Sequence, residues 1–198
     1  MRRIFKKCTA FVAFTAAVCC FTLLHLASTA EGGQSDKPAS QPETVKSFEK
    51  RVKEYVKLRE QIEEKMPKLS KEAKPEEIEA HKKSFQEAVR ASRTSSKPGH
   101  VFTPDVVDHI RTIIKREFKG TDLKQLREKV LEGETKGVPI RVNYPYPETK
   151  ELVEMPPTLL LALPALPKQV RYRFVGKHLL LVDRENGLIV DYMLDALP

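Results

Sequence analysis

The chain is predicted to be an α+β protein, with N-terminal helices (a helical hairpin plus two helices) followed by a small C-terminal antiparallel β-meander. Apolar residues between positions 45 and 118 recur at spacings of three and four, the period of helices that bury one face. From Val138 onward the pattern changes to prolines and β-type alternation. Near the C-terminus, Gly176-Lys177 and Asn186-Gly187 punctuate alternating apolar positions, as hairpins require.

The N-terminus reads as an address. Arg2, Arg3, Lys6 and Lys7 form a positive cluster, residues 8–27 contain no acid, and Ser28-Thr29-Ala30 supplies small residues before Glu31. This is the layout of a secretory signal peptide over residues 1–30. It predicts export, to the periplasm or the extracellular space if the source is bacterial. Residues 8–27 are also long enough to span a bilayer, so the alternative is an uncleaved N-terminal anchor, the one membrane contact expected. A lipoprotein signal fits less well, because Cys19 and Cys20 lead into Phe21-Thr22-Leu23-Leu24 instead of a polar chain.

All three cysteines lie in that segment, so the domain after it has neither disulfides nor thiol chemistry. Its length is enough to bury a core without them. The formal net charge of +8 falls to +4 without the four export-related cations, and the remaining charges alternate in sign along the helices. Nucleic acid is therefore not an expected partner.

Residues 31–40 are small and polar and read as a disordered linker. Ser40 and Glu43 have capping-box spacing, with Pro42 in the first turn of a helix. Val45, Phe48, Val52, Tyr55, Ile62 and Met66 form its narrow apolar seam, interrupted by Arg59, and Pro67 ends it. Pro75-Glu76-Glu77 opens a second helix with Ile78, Phe85, Ala88 and Val89 apolar, running to about Arg93. The two make a helical arm, 41–93, that closes as an antiparallel hairpin. Residues 94–99, Thr-Ser-Ser-Lys-Pro-Gly, are the clearest break, and an α+β domain, 101–198, follows.

Thr103 is expected to cap a third helix, with Pro104 at its first position and Asp105 facing the positive end of the helix dipole. Its buried face is Val106, Val107, Ile110, Ile113, Ile114 and Phe118, with Phe102 and Val107 placed for a hydrophobic staple. Thr121 starts a fourth helix carrying Leu123, Leu126, Val130 and Leu131. Residues 138–144 suit an edge strand, because Pro139 cannot donate within a sheet. Residues 155–164, Met-Pro-Pro-Thr-Leu-Leu-Leu-Ala-Leu-Pro, are too short to cross a membrane and are expected to be a buried helical turn.

The meander permits a register argument. A two-residue type II′ turn at Gly176-Lys177 pairs Val175 with His178, Phe174 with Leu179 and Tyr172 with Leu181. A four-residue turn at 184–187, or a two-residue one at Asn186-Gly187, then places Val170, Tyr172, Phe174, Leu179, Leu181, Leu188, Val190 and Tyr192 on one face, with Asp191 opposite Leu180 on the other in the four-residue register. Leu180, Val182 and Ile189 share that second face, so a covering element is expected there.

Several of these segments carry a resemblance. Phe102-Thr103-Pro104, the Val-Pro-Ile-Arg-Val-Asn run at 138–143, Tyr172-Arg173-Phe174-Val175-Gly176, Leu188-Ile189-Val190-Asp191 and the ending Asp195-Ala196-Leu197-Pro198 resemble a family of uncharacterised exported bacterial proteins over roughly residues 75–198. The resemblance implies a bacterial source and an envelope location, and no activity. A fainter similarity, confined to 176–191, is to small periplasmic proteins linked to nickel and cobalt homeostasis.

Catalytic, cofactor and metal residues are not expected. His81, His100, His109 and His178 show no ligand spacing, and His109 stands four residues after Asp105, where a capping role is ordinary. Asp183, Glu185 and Asp191 cluster near one hairpin but suit turns and strand ends. The serines show no nucleophile elbow, and there is no glycine-rich phosphate loop. Arg171, Arg173 and His178, alternating out of the apolar face, are the candidate interaction surface for an envelope protein or an anionic surface ligand. The expected role is non-enzymatic binding or scaffolding. The alternatives are an enzyme whose pocket is assembled from distant residues and a metal-responsive periplasmic binding protein.

Overall fold

In the computed structural model, residues 41–119, 124, 125, 128, 139–146 and 155–197 are described. They belong to one unit, Lys37–Pro198. The elements are α1 (Gln41–Lys65), α2 (Pro75–Ser92), α3 (Pro104–Glu117), a short α4 (Pro157–Ala162), β1 (Val170–Val175), β2 (His178–Asp183) and β3 (Ile189–Met193). The strands form one antiparallel sheet in the order β1-β2-β3. The architecture is α+β, with helices preceding the meander. The expected signal segment, the linker and most of the fourth helix lie outside the described residues.

The helices and the sheet share one hydrophobic core. Phe48 of α1 stacks on Phe102, with ring centroids 5.9 Å apart, and on Tyr172 of β1 at 6.4 Å. Ile110 and Ile114 of α3, Leu159 of α4 and Leu179 and Leu181 of β2 complete the centre, all without solvent contact. Removing a side chain of this size from water contributes about 1.5–3 kcal/mol.

This shared core changes the reading of α1 and α2. They close as a hairpin, and both pack into the core shared with 101–198. The buried face of α1 includes Val56 and Arg59 besides the predicted seam, so it is wider than a coiled-coil stripe. On α2, Phe85 and Val89 are buried as expected, whereas Ile78 stands 45% exposed one turn from the helix start. The break at 94–99 is tied down too, as described below.

The start of α3 corrects a detail. Thr103 occupies the N-cap position but accepts no backbone N–H; its hydroxyl instead donates to Asp105 Oδ1 at 2.5 Å. That bond holds the Asp105 carboxyl below its usual range, because it favours the charged form.

The β1–β2 register is the predicted one: Val175 faces His178, Phe174 faces Leu179 and Tyr172 faces Leu181. Gly176, at φ +52°, supplies the positive dihedral that a type II′ turn needs at its first central position. The 184–187 turn also forms, closed by Asp183 N–H to Leu188 O at 2.8 Å. One residue later the register departs from expectation. A bulge between Leu181 and Val182 sets Leu181 opposite Asp191 and Leu180 opposite Tyr192. Val190 keeps its place in the core, but Asp191 turns inward and Tyr192 moves to the second face. An inserted residue reverses parity from that point on.

Residues 139–144 form no strand. Asn143 takes φ +66°, breaking the extended run, and the chain then pairs laterally with the start of β3. Asn143 N–H donates to Ile189 O at 2.8 Å, Ile189 N–H to Tyr144 O at 3.0 Å and Tyr146 N–H to Gly187 O at 3.0 Å. Ile140 and Tyr146 thereby supply the expected cover for Leu180, Val182 and Ile189. The predicted helical turn at 155–164 is α4. It buries Leu159, and Leu163 just beyond its end, but leaves Leu160 and Leu161 exposed.

Candidate anion-binding cleft

Two aspartates of the meander are wholly buried, and the partners of each settle what it does. Asp183 ends β2, where its Oδ1 accepts the backbone N–H groups of Glu185 and Asn186 at 3.1 and 3.0 Å. Its Oδ2 accepts the Tyr55 hydroxyl at 2.9 Å and Arg59 Nε at 3.0 Å. Tyr55 and Arg59 stand one helical turn apart on α1, so a single helix face delivers both donors. Arg59 also binds Glu63 at 2.6 Å, as well as Glu185. Burial lowers the Arg59 pKa, but the three carboxylates outweigh it and the net shift is upward. Burial and the adjacent Asp183 push Tyr55 well above its ordinary value.

Asp191 is held differently. Its carboxylate accepts Gly99 N–H at 3.0 Å, Val101 N–H at 2.6 Å, Phe102 N–H at 2.9 Å and its neighbour Tyr192 N–H at 2.8 Å. The loop between α2 and α3 is thus wrapped around one carboxylate. Between these centres lies Arg93, which donates to Asn143 Oδ1 at 2.5 Å and to Val190 O at 3.3 Å and stacks on the Tyr55 ring. Burial lowers the Arg93 pKa. With their acceptors and donors engaged inside the fold, these groups tie the helices and the α2–α3 loop to the sheet.

The expected interaction face separates into two parts. His178 sits at the β-turn, where its Nδ1 accepts the Asp195 N–H at 3.1 Å. Burial lowers its pKa. The ring nitrogen that accepts this N–H anchors the C-terminal segment, alongside Lys177–Asp195 at 2.6 Å. Arg171 and Arg173 lie farther along β1 and line a cleft of about 400 Å³ between that strand and the α4–β1 connection. The Tyr172 hydroxyl, bonded to Pro164 O at 3.0 Å, holds the connection over the strand.

Lys168 and Arg184 line the same cleft, an association that sequence spacing did not reveal. The backbone explains it: Arg184 N–H donates to Gln169 O at 2.8 Å, which draws the 184–187 turn beside the start of β1. Arg173 is engaged, donating to Tyr172 O and making a further interaction. Arg171 is not: its Nε is buried without a hydrogen-bond partner. An unpaired buried donor costs about 1–3 kcal/mol, and more when charged. Among the described residues lining the cleft there is no carboxylate, and Met155, Leu160 and Leu166 contribute apolar surface to it. Chemically this is a concave surface for an anion with an apolar body.

Among the described residues, no group of three or more His, Cys, Asp or Glu is placed to hold a metal ion. No helix among them is long and apolar enough to cross a membrane. No family model matches the chain, and neither a curated protein nor a solved structure does.

Proposed function

We propose that this is an exported bacterial cell-envelope protein that works by binding and not by catalysis, with the cleft at Arg171 and Arg173 as the contact for an anionic partner. The observation that carries the binding reading is the gathering of Lys168, Arg171, Arg173 and Arg184 around one concavity whose described lining has no acid. The buried meander carboxylates, Asp183 and Asp191, are engaged by internal bonds and support the fold, while Lys168, Arg171 and Arg184 are the cations available in the cleft. The export reading rests on Arg2, Arg3, Lys6 and Lys7 preceding the apolar run at 8–27.

Cell fractionation combined with intact-mass measurement tests location. Protein released from the envelope and lacking about thirty N-terminal residues is the expected result. Full-length protein in the membrane fraction supports the anchored form, and cytoplasmic protein beginning at Met1 overturns export. Capture of partners by the exported form, compared with an Arg171→Gln, Arg173→Gln variant, tests the binding reading.

A further inference from the structure

We infer that the cleft takes a small amphiphilic anion, a carboxylate on a short apolar chain, with its head at Arg171 and its chain against Leu160 and Leu166. This rests on the binding reading above and adds the ligand's chemistry. Three features of the cleft specify it independently.

The first is the head-group position. Arg171 projects from the edge strand β1, and its Nε is enclosed by protein yet unbonded. A guanidinium also presents its two terminal nitrogens as a planar fork that matches the two oxygens of a carboxylate, and those of Arg171, unlike Nε, are not among the enclosed atoms. Lys168 and Arg184, both exposed and without a side-chain partner among the described residues, flank that position and add attraction.

Size and wall chemistry are the second and third features. A volume of about 400 Å³ lies at the small end of the range for small-molecule sites. Leu160, 51% exposed, lines the cleft and offers it apolar surface. Inorganic anions make no use of such walls. An alkyl chain removes them from water, so the acid head supplies orientation and the chain supplies affinity.

The test is isothermal titration of the exported form with octanoate below its micelle concentration, beside acetate and inorganic phosphate, at two ionic strengths. Octanoate is expected to bind one to one and at least tenfold more tightly than acetate or phosphate. Arg171→Gln is expected to weaken it tenfold or more. Leu160→Ser, an exposed position that leaves the core untouched, is expected to weaken octanoate while leaving acetate unchanged, and it keeps the test decisive if Arg171→Gln fails to fold. Absence of saturable octanoate binding, binding equal to that of acetate, or insensitivity to both substitutions overturns the inference. Adsorption to vesicles containing anionic phospholipid without octanoate binding also overturns it, in favour of a lipid surface. Cytoplasmic location with intact octanoate binding would remove the export reading and leave the site standing, so the two fail separately.

Discussion

Arg59 Nε lies 3.0 Å from Asp183 Oδ2, joining the middle of α1 to the end of β2 across 124 residues of sequence. Both side chains are almost without solvent contact, at 6% and 0%. Removing one partner of such a pair strands the other as a buried charge. Arg59→Met is therefore expected to destabilise the protein by about 3–5 kcal/mol in chemical denaturation. In a double-mutant cycle with Asp183→Asn, the pair should show coupling above about 0.5 kcal/mol. Additive losses would show that the helix and the turn are held by other contacts.

Asp191 governs the α2–α3 loop. Asp191→Ala leaves the N–H groups of Gly99, Val101 and Phe102 without their acceptor, an expected loss of about 1.5–3 kcal/mol or more, since these are bonds to a charged group. Limited proteolysis supplies the second measurement. The parent protein should resist cleavage at 94–99 and the variant should be cut there. Ready cleavage of the parent would mean that the carboxylate does not secure the loop.

Core truncations in the meander separate packing from the cleft. Phe174 has no solvent exposure, and Phe174→Ala is expected to cost about 3–5 kcal/mol in thermal or chemical unfolding. Tyr172→Phe removes the bond to Pro164 O and should cost only about 1 kcal/mol, while loosening the connection that walls the cleft. A loss as large as that of Phe174→Ala would assign the hydroxyl a greater role than one bond explains.

His178 gives a pH dependence. Burial holds its folded pKa below the ordinary value, with Lys177 acting in the same direction and Asp195 opposing. As pH falls the unfolded chain takes up the proton first, so this contribution is complete above about pH 6.5 and is lost as pH drops through the folded value. Melting temperatures at pH 7.5 and 5.5 should fall more for the parent than for His178→Gln. Equal falls would remove His178 as the responsible group.

Periodicity made the two long helices, α3 and the β1–β2 register legible, because helix and strand faces repeat at fixed intervals and Gly176 demands a particular turn. Arg59 was visible as an interruption of the α1 seam, yet its partner was not. An ion pair 124 residues apart has no local signature. Arg171 and Arg173 were readable as one face of a strand, whereas Lys168 and Arg184 joined them only through the bond from Arg184 N–H to Gln169 O.

What the sequence determined by itself is the local matter: which segments are helical, which residues alternate across the meander, and where the chain turns, since each depends on neighbours a few residues away. Tertiary structure decided the rest. The bulge at Leu181–Val182 reversed the parity of β3 and turned Asp191 from the outer face to the core. Once inside, a carboxylate must find donors or be expelled, and the loop before α3 supplied them. The same long-range packing drew α1 and α2 into the core and left Arg171 Nε enclosed without a partner. Such outcomes depend on which surfaces meet in space, a property that no run of adjacent residues encodes.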